Sequence, residues 1–200
     1  MMRVEERTLE GNHVRLEPLA ARHVPELVQA VQDPEVWRYL GAIPHPRTSE
    51  DMQRFVAIAL AARAQGTELP FAIVERAGGR AVGSTRYMDI RAAHRGLEIG
   101  WTWIAPAFQR TAVNTECKLL LLTHAFETLG CIAVEFRTSF FNFASRAAIA
   151  RLGAKQDGIL RSHQILADGT LRDTVVFSII APEWPAVKRH LRFELERPRC

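Results

Sequence analysis

Glu98 stands in an otherwise apolar run, and that run is where chemistry is most legible in this chain. A carboxylate in an apolar strand holds its proton more tightly than in water, which suits a general base poised near neutral pH. The alternative reading is a strand-end salt bridge. Downstream, Pro106 ends the strand Ile99 to Ile104, a short loop runs from Gln109 to Val113, and helix formers continue from Asn114 until Gly130. A strand, a short loop and a helix N-terminus gather unpaired N–H groups and the positive end of a helix dipole, a place for an anion. The same pattern also describes an ordinary β–α connection. His124 on that helix and His163 on a later strand offer imidazoles near neutrality, although a lone helix histidine is usually structural. Asp173 follows Arg172 and reads as half of a mutual or neighbouring ion pair.

The elements that must position these groups follow from periodicity and breakers. His13 to Leu19 alternates as a first strand, and Ala20 to Gln32 reads as a helix stopped at Asp33-Pro34. A short helical piece, Glu35 to Leu40, precedes the loop GAIPHP. Thr48 or Ser49 caps an amphipathic helix that reaches Gln65. Leu69 to Glu75 and Arg80 to Asp89 form strands around Gly78-Gly79, a hairpin signal. After the basic loop Arg91 to Arg95 come the strand and helix already described. Cys131 to Thr138 is another strand, and Ser145 to Leu152 is a helix closed by Gly153. Ile159 to Leu166 and Leu171 to Ile180 make a terminal hairpin, and Pro182 to Glu196 begins a last helix with Trp184 packing it down.

Two hundred residues, with no repeat and no linker, suit one domain spanning 1–200. The apolar and charged fractions, 48% and 24%, are those of an ordinary globular chain. No apolar run nears the roughly 18 residues that span a bilayer, and MMRVEERTLEG lacks a signal-peptide core, so no membrane is expected. Cys117, Cys131 and Cys200 form neither a disulfide framework nor a metal signature, which points to a reducing cytoplasm and no metal. The charge of +4 suits an acidic ligand and solubility equally. No basic stripe with interleaved aromatics appears, so nucleic acid is a poor partner.

Ala105-Pro106-Ala107-Phe108-Gln109-Arg110 followed by a helix resembles the coenzyme A loop of the GNAT N-acetyltransferases. Glu98-Ile99-Gly100-Trp101, then Asn142-x-x-Ser145 before Arg151-Leu152-Gly153-Ala154, resembles the RimJ/RimL branch of ribosomal-protein acetyltransferases. The similarity runs from about Gly11 to about Leu191. It implies an α+β fold, a mixed, mostly antiparallel central sheet flanked by helices. It also implies an enzyme that moves acetyl from acetyl-CoA to a primary amine, on a small molecule or a protein N-terminus. The alternative is a degenerate acyl-CoA-binding module acting as sensor or scaffold. The family loop usually has glycines where this chain has Ala112 and Asn114.

By the same resemblance, the sheet splays beside the central strand, and Thr102, Trp103 and Ile104 present backbone groups to the pantetheine arm. The N–H groups of Arg110, Thr111, Ala112, Val113, Asn114 and Thr115 would face the pyrophosphate, with Arg110 as its charge partner. Lys118 could reach a 3′-phosphate or be a solvated helix lysine, and Glu116 caps its own helix. Asn142 would hydrogen-bond the pantetheine chain or serve turn chemistry. Ser145 is either a helix N-cap or the proton donor to the departing thiolate. Many relatives place a Tyr seven residues after that Asn, where this chain has Ile149. Glu98 would take the amine's proton through a water. Trp37, Tyr39, Trp101 and Phe141 are expected on the acceptor side, where Arg38, Arg86 and Arg95 could orient a carboxylate. The apolar-edged terminal hairpin could pair in a homodimer.

Overall fold

The structure, a computed structural model, describes residues 2–40, 44–166 and 168–197. Part of the GAIPHP loop and Cys200 lie outside the described residues. The strands are β1 (Leu9–Glu10), β2 (Val14–Pro18), β3 (Leu69–Glu75), β4 (Ala81–Arg91), β5 (Gly96–Ile104), β6 (Ala133–Ser139), β7 (Lys155–Ile165) and β8 (Leu171–Ile180). The helices are α1 (Val24–Ala30), α2 (Ser49–Ala64), α3 (Ala112–Thr123), α4 (Phe143–Arg151) and α5 (Trp184–Glu196). This is the mixed α+β architecture expected from the sequence. One sheet runs β1-β2-β3-β4-β5-β6-β8-β7, and β5 against β6 is its parallel pair. A parallel neighbour needs a crossover, and α3 supplies it.

Each face of the sheet buries its own core. Val113, Cys117, Leu121 and Leu122 of α3, with Val187 and Leu191 of α5, pack on Phe71, Leu97 and Phe136. Trp184 stacks on Phe126, as its place at the head of the last helix suggested. On the other face Leu27 and Val28 of α1 and Met52, Phe55 and Val56 of α2 cover Ala72, Val74 and Trp103. Thr48 is the cap of α2, accepting from Asp51 N at 3.1 Å while Asp51 Oδ2 accepts from Thr48 N at 3.1 Å.

Three of the boundaries that differ from the sequence reading do so through a cap. Helix α3 starts at Ala112 rather than Asn114 because Thr111 Oγ1 accepts from Val113 N. Helix α4 starts at Phe143 rather than Ser145 because Asn142 Oδ1 accepts from Ser145 N at 3.0 Å. The piece after Asp33-Pro34 is only a 3₁₀ turn, Pro34–Val36, held by Asp33 accepting from Glu35 N.

Glu116 does not cap its own helix. Its buried carboxylate accepts from Asn12 N at 2.8 Å, His13 N at 2.6 Å and Val14 N at 2.7 Å, bolting the β1–β2 turn onto α3. Gly11 is required beside it, since a Cβ there would sit 2.5 Å from the Glu116 carboxyl carbon. Glu116→Gln turns one accepting oxygen into a donor facing a donor. It is expected to cost about 2–4 kcal/mol in urea unfolding, and a loss under about 0.5 kcal/mol would contradict this role.

Candidate active site

The site begins where two strands part. β5 and β6 pair only over Gly96–Glu98 and Ala133–Glu135. Beyond Glu98 the β5 edge facing β6 has no strand beside it, so backbone groups there are unpaired within the sheet. On the β4 side Thr85 is opposed by both Trp101 and Thr102, a β-bulge with Trp101 at φ 49°. Gly100 keeps the apex open to close packing, because a Cβ would lie 2.5 Å from Met88 Sδ and 3.1 Å from Glu98 Oε1. The resulting cleft passes through the sheet and has a volume of about 1180 Å³. That exceeds the roughly 300–1,000 Å³ of ordinary small-molecule sites.

One mouth of the cleft is the N-terminus of α3. Arg110 at φ 60° turns the chain into the helix and carries no ion pair among the described residues. The first-turn amides have no carbonyl four residues back. Thr111 Oγ1 already holds Val113 N–H at 3.3 Å, and Thr115 N–H lies deep enough to meet the Thr111 carbonyl. The free donors therefore narrow to Arg110, Thr111, Ala112 and Asn114, a smaller set than the sequence suggested. Lys118 is neither solvated nor reaching outward. It is 5% exposed, and its Nζ donates to Thr102 Oγ1 at 2.6 Å and Thr85 Oγ1 at 3.4 Å, pinning the bulge from below. Burial lowers its pKa.

On the opposite wall Asn142, Ser145 and Ile149 line the cleft. Asn142 is the α4 cap through Oδ1, which leaves its Nδ2 donors to the cleft. Ser145 is thus not the cap, and its half-buried hydroxyl makes no hydrogen bond among the described residues. Ile149 is buried and offers no hydroxyl to the cleft.

Glu98 lies at the apex, 5% exposed. Its Oε2 is 3.5 Å from Arg137 Nε, but Arg137 Nη2 is nearer Glu135 at 2.9 Å. Burial is the larger effect and Arg137 only partly offsets it, so the Glu98 carboxyl is raised to about 7. The sequence alternatives therefore coincide: a shared, long ion pair and a carboxyl that titrates near neutrality.

Several acceptor-side expectations are corrected. Trp37 is 4% exposed and lies in the α1/α2 core, edge-on to Phe55 and Trp103, because the 3₁₀ turn points it inward. Phe141 is 65% exposed and lies off the cleft, since the α4 cap turns it outward against Phe140. Tyr39 and Trp101 do line the cleft. Arg38 pairs with Glu35 at the surface, and Arg95 ends a turn at the far end of β5. Arg86 is 1% exposed, bonded to Glu68 at 2.8 Å and sandwiched between the Phe55 and Trp101 rings. His124 is structural: buried against Tyr87, its pKa is pushed down to about 4 by desolvation, with Arg7 adding to it. His163 does line the cleft, with Nδ1 3.1 Å from Thr174 Oγ1. Among the described residues no cluster could hold a metal.

A parted strand pair leading to a helix N-terminus forms one continuous cleft. Residues 13–155 match the acetyltransferase (GNAT) domain, and the chain belongs to that family. A GCN5-related N-acetyltransferase from Brucella melitensis is 32% identical, with a TM-score of 0.90 over 96% of this chain and 86% of its own. A Bacillus subtilis (strain 168) protein provisionally named ribosomal N-acetyltransferase YdaF is 30% identical over 110 residues. That match covers 55% of this chain and 59% of the curated relative's length. Mycobacterium smegmatis RimJ, in complex with CoA-disulfide, shares the fold at 22% identity and a TM-score of 0.78, over 98% of this chain and 95% of its own.

The buried Lys118 makes a stability prediction. An unfolded lysine titrates near 10.4, above the native group, so between the two pKa values the unfolded state holds more protons and stability rises with pH. Lys118→Met is expected to flatten that rise. Urea unfolding of both proteins at pH 7 and pH 9.5 checks this, and an equal rise in the variant would contradict the reading.

Proposed function

We propose that this chain is an N-acetyltransferase that moves acetyl from acetyl-CoA to a primary amine by direct attack of the amine on the thioester, acting in the cytoplasm. The observation that carries the reading is the open β5 edge. It runs from the buried Glu98 past Thr102, Trp103 and Ile104 to the free amides of α3. A pantetheine arm is a chain of amides, and an unpaired strand edge is its natural partner. The free donors of Arg110, Thr111, Ala112 and Asn114, with the Arg110 guanidinium, suit a pyrophosphate. Asn142 Nδ2 donates to the arm from the opposite wall. The relatives' names support the reading, and YdaF's, a ribosomal N-acetyltransferase by name, supports a protein amine beside small-molecule amines.

When bound, acetyl-CoA supplies an activated acyl group and a thiolate leaving group. Glu98 takes the proton of the incoming ammonium through a water, delivering a neutral amine. Ser145 donates a hydrogen bond and then its proton to the departing sulfur as the C–S bond breaks, and the proton that the acylated nitrogen sheds in the same collapse restores the hydroxyl. The non-transferring sensor reading is not favoured, because the cleft retains both a buried base and a free hydroxyl beside the cofactor wall.

Release of free thiol from acetyl-CoA over a panel of amines tests the activity. No release with any amine, despite a thermal shift with acetyl-CoA, would overturn transfer while leaving binding. Glu98 must be deprotonated to act, so kcat/KM is expected to climb with pH through about 7. Glu98→Gln should remove that limb and lower kcat by about 10²–10⁴. The same raised carboxyl weakens the fold as pH rises from its unfolded value through about 7, because the native state then holds the extra proton. Glu98→Gln is therefore expected to be the more stable protein at pH 8. A wild-type pH profile in the variant would remove Glu98 from the mechanism.

Asn142→Asp keeps the cap oxygen but loses the amide donor. It is expected to weaken acetyl-CoA binding about tenfold with little change in melting temperature, whereas Asn142→Ala loses both. Equal binding by wild type and Asn142→Asp would leave Asn142 a cap alone.

A further inference from the structure

The acceptor half of the cleft carries a cation that no protein carboxylate claims. Arg172 sits on β8 next to Asp173, but successive side chains on a strand point to opposite faces. Asp173 therefore turns away from Arg172. It accepts from Arg161 Nε at 2.6 Å and Ser162 N at 2.7 Å, and so fills a wide bulge in β7. The register shows that bulge directly: Leu160 pairs with Thr174 and Gln164 with Arg172, leaving three β7 residues against one. Ser162 has φ 47° within it.

The consequence falls on the other face. Arg172, Thr174, His163 and Gln164 all line the cleft. His163 Nδ1 is held by Thr174 Oγ1 at 3.1 Å, which leaves Nε2 uncommitted. The Arg172 side chain makes no ion pair or hydrogen bond among the described residues, and its Nε is buried without a partner. Its environment differs from that of the other cleft arginines tied to acids. Arg137 is shared by Glu135, Asp89 and Glu98, and Arg151 faces Glu194 at 4.0 Å. Glu98 is the charge that Arg172 feels across the cleft. A buried guanidinium nitrogen without an acceptor is costly, and a planar carboxylate is the partner its fork fits best.

We propose that Arg172 is a specificity residue that binds a carboxylate on the acceptor, so that the preferred acceptor presents a primary amine to Glu98 and a carboxylate to Arg172. The proposal rests on the acetyltransferase reading of the cleft. An anionic wall at Glu98 and a cationic one at Arg172 match an ammonium and a carboxylate held a few bonds apart. That pair occurs in a free amino acid and in a peptide whose second residue is acidic.

The test compares paired acceptors: a free amino acid against its amide, and an N-terminal peptide with Glu in second place against the same peptide with Gln. The expected result is a preference for the acidic member in at least one pair. Arg172→Gln should shrink that preference about tenfold or more, through KM rather than kcat. Arg172→Lys should fall between, since it keeps charge but loses the fork. Arg161→Gln, on the outer face, should keep the preference. The amino-acid arm and the peptide arm separate the two sources. An acetyl-CoA thermal shift in each variant shows that it is folded. Turnover of amines with equal kcat/KM for acid and amide would overturn this proposal alone. A preference undiminished in Arg172→Gln would also overturn it. No turnover with any amine overturns the parent reading instead.

Discussion

The structure depends on the parting of β5 from β6. A parallel pair that lasted the full length of both strands would satisfy every backbone group and leave no cleft. Here the pairing stops at Glu98 and Glu135, and the bulge at Trp101 and Thr102 turns the rest of β5 away. That geometry needs support from below, because a bulge weakens the ladder it interrupts. Lys118 supplies the support through the hydroxyls of Thr102 and Thr85, at the expense of burying an amine. Glu116, two residues earlier on the same helix, holds the N-terminal turn. Helix α3 is thus fixed to the sheet at both sides of its first turns, and its free amides are presented to the cleft from a rigid base.

The same opening explains the electrostatics. At the apex, solvent is excluded by Met88, Gly100 and the sheet itself, and three acids compete for the guanidinium of Arg137. Glu98 has the longest contact of the well-buried pair and the greatest burial, so it keeps a proton to about pH 7 while Glu135 is held low by hydrogen bonds to Arg91 and Arg137. Two carboxylates directly opposite each other on β5 and β6 are set to different protonation states by their surroundings. The terminal hairpin forms another wall of the cleft, lined by His163 of β7 and Arg172 of β8.

Much of this was legible in the chain. Periodicity and breakers located the strands and helices, and Thr48, Pro106 and Gly153 marked real ends. The carboxylate at Glu98 could be picked out because a charge in an apolar run has few environments available. What escaped was whatever depended on which residue wins a cap or which face a side chain takes. Ser145 looked like a cap until Asn142 was seen to hold its amide. Lys118 read as a 3′-phosphate contact or a solvated helix lysine and Glu116 as a cap of its own helix, because their actual partners, Thr85, Thr102 and the Asn12–Val14 turn, are remote in sequence. Trp37 looked free to line a cleft but packs among rings from α2 and β5. Arg172 was read with its neighbour Asp173, although the alternation of Val175, Phe177 and Ile179 into the core separates the two.

The central claim is that backbone amides along β5 and at the start of α3 grip the carrier. Amide hydrogen exchange with and without coenzyme A tests it most directly. The account predicts new protection confined to residues 99–104 and 110–114 on binding, with the β3–β4 ladder unchanged. Saturating binding that leaves the exchange of those two segments as it was in the free protein would contradict it.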